Sequence, residues 1–414
     1  MPHAEMIEHK YHLQDSKSVA WLWLTLKSRA KAATQLPLYY DADPIAGAIE
    51  VNFDKASGVK RVSIAVVAGV TAVGQEDVRF LEISRDVWNA KTTPPPAKAA
   101  GRQLWQFSLA LPSEISMPGQ RKTLSTMYKL PPSFSERASP VYIDYRVVAT
   151  VHRGLFKSNQ TLSTGLVFLP VSRSEAPPPL REAAYRDGTA LIGPDGDPEG
   201  WNVLPPAKFT GALFNTRQVE LQCVVAVAKP LSFARGSAIP LFVTISSTDE
   251  QALDLLASPG AVKIYLIRYR VLGTHATEDK YSDHSSHVFH ERVGAAYFWP
   301  STERASGDRV RMMQGELNVE VSSKPSFIFP EFSLRYKLAL FPPHAPGFSS
   351  KLTADKPLVV EEVTVTTAEA AGVYSRSYAP PGYMQPVDPD YNNTVGYLEN
   401  GNQRFMHHGG HGGI

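Results

Sequence analysis

The sequence contains very little cysteine. Cys223 is the one cysteine among 414 residues, in the stretch VELQCVVAV, where it shares an apolar strand face with Val219, Leu221, Val225 and Val227. This scarcity is typical of a protein from a reducing compartment. We predict that Cys223 is a small buried apolar side chain. A catalytic thiol would need an electropositive, partly open setting, which the surrounding residues do not offer.

Long hydrophobic runs are also missing. The longest run near the start covers residues 19–26 and follows a polar, charged opening. Such a run is too short to span a bilayer, and its layout is not that of a signal peptide. We therefore expect a cytoplasmic protein, in which the glycosylation-like triplets at residues 159–161 and 392–394 are chance matches.

The chain has no excess of charge of one sign and no familiar catalytic motif. Its net charge is +2, with acids and bases interspersed, so it lacks a basic footprint for nucleic acid and a basic stretch that could hold a membrane by itself. We find no nucleophile elbow, no HExxH sequence, no P-loop and no dinucleotide fingerprint. We therefore predict that the protein is not an enzyme, that it has no catalytic residues or cofactors, and that it does not bind nucleic acid.

The sequence does contain many stretches in which every second residue is apolar, which is the pattern of a β-strand. With 43% apolar and 10% aromatic residues, a chain of this length can build two or three domains with sizeable cores. The stretch VYIDYRVVATV places Val141, Ile143, Tyr145, Val147 and Val151 on one face, and AIEVNF, FSLRYKLAL and EEVTVTT alternate in the same way. We predict an all-β protein of antiparallel sheets, each with one face toward solvent.

Two pairs of segments repeat along the chain. The segment PLYYDADPIAGAIEVN begins at Pro37, and PLSFARGSAIPLFVTI begins 193 positions later, at Pro230. The segment PSFSERASPVYIDYRV begins at Pro132, and PSFIFPEFSLRYKLAL begins at Pro325, with the same offset. Two matches at one offset predict two related β-domains in tandem, with these segments in equivalent positions.

Changes in composition set the predicted boundaries. The region between the repeats is rich in proline and glycine and lacks alternation, so it is typical of a linker. The end of the chain is rich in Tyr, Pro, Asn, Gly and His, and offers too little apolar area to offset the entropy of ordering. The predicted divisions are a polar N-terminal segment (1–18), a first β-sandwich (19–172), a linker (173–215), a second β-sandwich (216–368) and a disordered tail (369–414).

The order and spacing of these segments resemble the arrestin fold. The resemblance covers residues 19–368 and lies in YYDADPIAGAIEV, in LPPSF followed by IDYRVVATVHR, and in AKPLSFARGSAIPLFVTI at the start of the second domain. The tail sequence PPGY makes the chain resemble the α-arrestins, the arrestin-related trafficking adaptors. The resemblance implies two tandem immunoglobulin-like β-sandwiches that serve as an adaptor without catalysis.

The resemblance also implies partners. Family members engage membrane cargo through the arrestin domains and recruit WW domains of HECT-type ubiquitin ligases through PPxY motifs. On this chain Pro380, Pro381 and Tyr383 match that motif, whereas DPDY further on has Asp388 in place of the first proline. The implied function is ubiquitin-dependent endocytosis and sorting of transporters or receptors, with the protein recruited through its cargo to the plasma membrane or endosomes. The alternative is an arrestin-fold scaffold in endosomal sorting or signalling, for which the motif is a chance match.

Physical chemistry adds expectations for the tail motif. Consecutive prolines favour an extended polyproline II ribbon, which WW domains bind in an aromatic-lined groove. Tyr383 would fill a second pocket, and Gly382 would only set the spacing. A contact this small should have a dissociation constant in the micromolar range. We expect Tyr383 to be exposed to solvent in a mobile tail.

Two further sets of residues are candidates for modification and for metal binding. Family members are ubiquitinated by the ligase that they recruit, and a tethered ligase favours lysines close in sequence. Lys351 and Lys356, in the polar loop SSKLTADKP, are therefore the predicted acceptors.

The histidines of HATEDKYSDHSSHVFHER could be spaced for a metal. Residues three apart point to opposite faces of a strand, however, so we predict a solvated loop and no metal site. These histidines are His275, His284, His287 and His290.

Overall fold

The computed structural model describes residues 6–72, 77–92, 101–118, 125–137, 139–154, 157–279, 287–303, 307 and 309–383. Within these ranges the chain divides into two compact units. Unit 1 contains residues 6–170 and the short segment Phe329–Phe332, and unit 2 contains residues 171–328 and 333–383. Each unit is a β-sandwich, which confirms the predicted all-β fold.

Unit 1 consists of strands joined by short loops. One of its sheets has the strand order β1-β2-β4-β7, the other has the order β3-β11-β10-β5-β6, and β8 pairs with β9. The strands are β1 (Ile7–Gln14), β2 (Ala20–Ser28), β3 (Leu38–Tyr40), β4 (Ile45–Asn52), β5 (Val59–Ala72), β6 (Val78–Asn89), β7 (Arg102–Leu109), β8 (Glu114–Pro118), β9 (Ser125–Lys129), β10 (Val141–Arg153) and β11 (Gln160–Leu169).

Unit 2 adds short helices to the same plan. One sheet has the order β19-β20-β16-β14-β13-β22, with β12 beside β14, and the other has the order β15-β23-β21-β17-β18. Short 3-10 turns cover Pro198–Gly200 and Thr274–Thr277. The elements are α1 (Pro179–Asp187), β12 (Trp201–Val203), β13 (Ala207–Leu213), β14 (Arg217–Ala228), β15 (Ser232–Ala234), β16 (Ala238–Ser247), α2 (Glu250–Leu256), β17 (Lys263–Gly273), β18 (Val288–Ala295), β19 (Tyr297–Pro300), β20 (Val310–Asn318), β21 (Glu331–Phe341), β22 (Phe348–Ser350) and β23 (Val359–Thr366).

The predicted repeat is visible in how each second sheet is ordered. In both units a short early strand pairs in parallel with the last strand of that sheet, β3 with β11 and β15 with β23. The segments that begin at Pro37 and Pro230 therefore occupy equivalent positions, as predicted. The offset of 193 pairs Phe233 with Tyr40. In the structure, however, the residue of unit 1 that lies opposite the last strand as Phe233 does in unit 2 is Tyr39, one residue earlier.

The Pro-Ser-Phe segments also occupy equivalent positions. In unit 1 the N–H of Ser133 donates to the carbonyl of Phe168 over 2.8 Å, and the Ser133 Oγ accepts the N–H of Phe168 over 2.9 Å. In unit 2 Ser326 makes the same two contacts with Val365, over 2.7 and 2.9 Å. Each serine thus fixes the last strand of its sheet, and the predicted equivalence of the segments at Pro132 and Pro325 is confirmed.

A buried tyrosine ties each of these loops to the central strand. The Tyr145 hydroxyl on β10 donates to the carbonyl of Pro131 over 2.6 Å. The Tyr336 hydroxyl on β21 donates to the carbonyl of Lys324 over 2.7 Å. Both rings are almost fully buried, so each hydroxyl needs an internal partner to offset its desolvation.

The alternating side chains form the cores as predicted, with one difference in unit 2. Val141, Ile143 and Val147 on β10 are fully buried, and full burial of each such side chain contributes about 1.5–3 kcal/mol. On β21, however, the opposite face is buried as well. Arg335 is only 3% exposed and donates to the carbonyl of Ala276 over 3.0 Å. Strand β21 therefore lacks the solvent-facing side that the alternation predicted, whereas β23 in the same sheet keeps exposed side chains at alternate positions.

The structure differs from the predicted linker. Helix α1 and strands β12 and β13 lie inside residues 173–215, and β13 pairs with β14. The helix begins at Pro179, the last of three consecutive prolines, where the missing N–H costs nothing. It ends before Gly188, whose φ of 70° favours glycine. A high proline and glycine content here marks the ends of short elements rather than an irregular connection.

The structure also differs from the prediction for the N-terminal segment. Residues predicted to form a polar segment outside the domain include β1, which pairs with β2 along its length. His9 occupies a buried position of β1, where its Nε2 lies 2.9 Å from the Ser28 Oγ. A polar side chain at an inward position interrupts the apolar alternation, which is why the sequence pattern does not indicate this strand.

We expect Tyr145→Phe and Tyr336→Phe each to lower the free energy of unfolding by about 1–2 kcal/mol, because each change removes one buried hydrogen bond and keeps the ring. Urea unfolding of the two variants measures this. Tyr374→Phe, at a side chain that is 81% exposed, is the control and should leave stability unchanged. Equal stability of the wild type and either buried variant would contradict the proposed equivalence of the two tyrosines.

Candidate partner-binding site at the Pro-Pro-Gly-Tyr segment

Residues 380–383 form a tight turn. The N–H of Tyr383 donates to the carbonyl of Pro380 over 3.1 Å, and Gly382 has a φ of 93°. Proline at the second position and a residue with positive φ at the third are the pattern of a type II turn. The structure therefore differs from the extended ribbon expected for the two prolines. Gly382 is also more than a spacer, since its conformation is one that side chains with a Cβ rarely adopt.

The residues just before the turn are bound by a buried carboxylate. Glu316 on β20 is 1% exposed. Its Oε2 accepts the Ser377 hydroxyl over 2.7 Å, and its Oε1 accepts the backbone N–H of Tyr378. The Tyr297 hydroxyl, directly across from Glu316 in the β19–β20 pair, lies 3.4 Å from Oε2. Burial raises the pKa of Glu316, and the hydrogen bonds from Ser377 and Tyr378 partly offset that effect.

An apolar contact accompanies this polar one. The ring of Tyr378 stacks on Tyr185 of α1, with centroids 6.1 Å apart and planes 25° apart. Tyr185 belongs to a small buried cluster with Ala184 and Leu191, against which Tyr378 and Val373 pack. Helix α1 thus supplies an apolar surface that the predicted linker would not have contained.

The chain reaches this position along a series of hydrogen bonds that begins at the end of β23. The Thr367 hydroxyl donates to the carbonyl of Ser172 over 2.6 Å. The guanidinium of Arg173 donates to the carbonyl of Glu369 over 3.0 Å, and the Glu369 carboxylate accepts the backbone N–H of Ser375 over 3.1 Å. Residues 369–383 therefore pack on unit 2, where the sequence predicted the start of a disordered tail. The rest of the predicted tail, residues 384–414, lies outside the described residues.

Tyr383 is half-buried rather than exposed. Its ring lies 6.1 Å from the ring of Trp299, at an angle of 59°. Tyr383 and Gly382 also line a cavity of about 540 Å³ together with Tyr265, Arg292 and Phe298. The Arg292 guanidinium stands 4.4 Å from the centre of the Tyr265 ring, so the wall of this cavity combines aromatic surface with a positive charge.

The two predicted acceptor lysines are exposed, as expected from their polar loop. The nearest preceding lysine, Lys337, lies on β21 with its Nζ 4.4 Å from the centre of the Tyr269 ring. The structure brings neither Lys351 nor Lys356 into the cavity beside Tyr383. The lysine that lines this cavity is Lys263, at the start of β17.

The histidine-rich stretch is partly described. His275 Nδ1 lies 2.8 Å from the Glu278 carboxylate, and its ring centre lies 6.4 Å from that of His287. His284 lies outside the described residues. Within the described ranges, no group of three or more His, Cys, Asp or Glu side chains is placed to hold a metal ion.

Comparison with known proteins does not identify a family. No protein-family model matches the sequence, and no curated protein has significant sequence similarity to it. The resemblance to the α-arrestins therefore stays a prediction based on the quoted segments. Among the described residues, no helix has the length and apolar character needed to cross a membrane.

Sequence reasoning missed Glu316 and α1 as parts of this site, although α1 had a local signal. The prolines at 177–179 and Gly188 bracket α1 as a start and a stop signal would. The stretch RMMQGELN places Glu316 on the strand face opposite the core residues Met313 and Leu317, so the alternation predicts an exposed carboxylate. Its burial depends on donors from Ser377 and Tyr378, about sixty positions along the chain.

Cys223 is 4% exposed on β14, and burial raises the pKa of its thiol to about 12, which confirms the prediction of a buried apolar side chain. We expect the native protein to react very slowly with a water-soluble disulfide reagent, since the thiolate is the reactive form. In denaturant the single thiol should react at the rate of a free cysteine. Rapid modification of the native protein, measured by absorbance, would contradict the burial of Cys223.

Proposed function

We propose that the protein is an arrestin-like adaptor without catalytic activity that links membrane transporters or receptors to a HECT-type ubiquitin ligase. The observation that carries the proposal is the PPGY sequence, residues 380–383, on a chain of two tandem β-sandwiches. The second sheets of the two sandwiches share one strand order, and the sandwiches offer broad surfaces for cargo. The short motif supplies a separate contact for a WW domain.

The adaptor would work by proximity. Cargo binding brings it from the cytoplasm to the plasma membrane or to endosomes, and the ligase bound at Pro380, Pro381 and Tyr383 then modifies cargo nearby. A single motif of this size binds in the micromolar range, so recruitment depends on several WW domains or on shared membrane localisation. The product is ubiquitinated cargo that is sorted by endocytosis.

A second candidate is a scaffold in endosomal sorting or signalling that does not recruit a ligase. The conformation of the motif favours it, because Tyr383 is half-buried beside Trp299 and residues 380–383 form a turn. In this alternative the Pro-Pro-Gly-Tyr residues are a structural element of unit 2, and their match to the WW-binding motif is incidental.

Binding of a WW domain by a peptide separates these two functions. A synthetic peptide of residues 374–390 should bind a WW domain of a HECT-type ligase with a dissociation constant on the order of 1–100 μM, measured by fluorescence anisotropy. The same peptide with Tyr383→Ala should bind at least about 10-fold more weakly, because the tyrosine pocket is left empty. No measurable binding by the unchanged peptide would exclude ligase recruitment through this motif and favour the scaffold.

Ubiquitination of the protein itself tests the geometry of recruitment. Mass spectrometry of diglycine remnants, after co-expression with the ligase, should find Lys351 or Lys356 modified, because both are exposed and close in sequence to the motif. Tyr383→Ala should abolish that modification. Modification at other lysines that persists in the Tyr383→Ala variant would exclude both the predicted acceptors and docking at this motif.

A further inference from the structure

We propose that unit 2 holds its own PPGY motif in a form that a WW domain cannot bind, and that the motif becomes available only when residues 375–383 detach. We call residues 375–383 the latch segment. The proposal rests on the proposed function, because it concerns the regulation of the same motif. It assigns an interaction surface on unit 2 that this segment of the chain occupies. That surface and a WW domain compete for the segment.

The bound and the available forms of the motif exclude each other. A WW domain binds a polyproline II ribbon, in which φ is near −75° at every residue. In the latch segment Gly382 has a φ of 93°, and the Tyr383 N–H turns back to the carbonyl of Pro380. The Tyr383 ring, which would fill the second pocket of the WW domain, is half-buried beside Trp299.

Three contacts hold the latch segment at separate points along its length. Glu316 accepts hydrogen bonds from Ser377 and from the backbone of Tyr378. These are charge-assisted when the carboxylate is ionised and are stronger than neutral hydrogen bonds. The ring of Tyr378 stacks on Tyr185, and the ring of Tyr383 contacts Trp299. Contacts of modest strength at several points act together, since the segment must leave all of them before the ribbon can form.

The surface beneath the latch segment is built to receive a chain. Glu316 is buried on the β-sheet, and the described residues contain no ion pair of its carboxylate, so hydroxyl and backbone donors of the latch segment satisfy it together with the Tyr297 hydroxyl. Detachment breaks these hydrogen bonds, which are stronger than neutral ones when the carboxylate is ionised. Glu316 is therefore a main point at which the latch segment is held.

The expected size of the effect follows from the equilibrium between the two forms. If the detached form is a fraction f of the protein, the apparent association constant for a WW domain is the intrinsic constant multiplied by f. We expect the full-length protein to bind a WW domain at least about 10-fold more weakly than the free peptide of residues 374–390 does. The peptide lacks unit 2 and therefore reports the affinity of the motif without the latch.

Two variants weaken the latch in different ways. Glu316→Gln keeps the size of the side chain but removes its negative charge, so the hydrogen bonds with Ser377 and Tyr378 are no longer charge-assisted. Gly382→Ala leaves the core untouched, because no atom lies within 4 Å of the added Cβ, but strains a residue at a φ of 93°. Residue 382 is the variable position of the motif, so Gly382→Ala should not change the affinity of the peptide. Glu250→Gln, at an exposed carboxylate of α2 (78% exposed), is the matched control for charge.

The experiment measures anisotropy of one labelled WW domain against the peptide, the full-length protein and the three full-length variants. We expect Glu316→Gln and Gly382→Ala to bind at least about 5-fold more tightly than the full-length wild type, and Glu250→Gln to bind like the wild type. A peptide and a wild-type protein of equal affinity would overturn the latch and leave the proposed function standing. A peptide without affinity would overturn the proposed function, and the masking of the motif with it.

A second readout tests the latch without a WW domain. Trypsin cleaves after Arg376, whose side chain is exposed within the latch segment, and cleavage of a docked segment follows the population of the detached form. We expect cleavage at Arg376 to be at least about 5-fold faster in Gly382→Ala than in the wild type. Equal rates in the wild type and both latch variants would overturn the latch. If Glu316→Gln fails to fold, the rate measured for Gly382→Ala decides the test alone, because that change does not touch the core.

Discussion

Each β-sandwich depends on a serine that fixes the last strand of its second sheet. The serine binds both the N–H and the carbonyl of Phe168 in unit 1 and of Val365 in unit 2. A slip of one residue in that strand would turn every inward side chain outward. The contact therefore sets the register of the strand that completes the sheet. The buried tyrosine hydroxyls of Tyr145 and Tyr336 hold the serine loops to the strands beside them.

In unit 2 the way in which the last strand, β23, is fixed also sets the path of the chain that follows it. Strand β23 ends at Thr366, and Thr367 then binds the backbone of Ser172. The chain leaves the sheet already attached to the segment that leads into α1. From there it passes over the Tyr185 ring to the carboxylate of Glu316. The position of the motif on unit 2 is thus a consequence of how the sandwich closes, in addition to contacts of its own.

The parts of the fold that could be predicted are those whose signal is local. The alternation at Val141, Ile143 and Val147 predicted a strand because burial of every second residue is a property of one segment. The offset of 193 residues predicted equivalent loops because the serine makes the same two contacts in both copies. The offset was wrong by one position at the first strand, where it pairs Phe233 with Tyr40 and the structure pairs it with Tyr39. The turn between β3 and β4 is one residue longer than the turn between β15 and β16, and this shifts the alignment.

The candidate site was harder to predict because its parts are distant in sequence. Glu316 could be recognised as a charge in a strand, but the donors that satisfy it come from Ser377 and Tyr378. The amino-acid composition predicted disorder for residues 369–383 because they contain little apolar area. The hydrogen bonds that hold these residues on unit 2 cannot be inferred from composition. The same limit explains the linker, where a nine-residue helix supplies Tyr185 as a packing surface.

The sequence Pro-Pro-Gly-Tyr suits two conformations for the same reasons. Proline fixes φ near −65°, which fits both a polyproline II ribbon and the second position of a turn. Glycine adopts positive φ without steric cost and also follows the ribbon, so Gly382 leaves both forms open. A WW domain places no demand on that position, whereas the turn on unit 2 does. The presence of glycine at 382 is therefore explained by the docked form, and the prolines and tyrosine around it by either form.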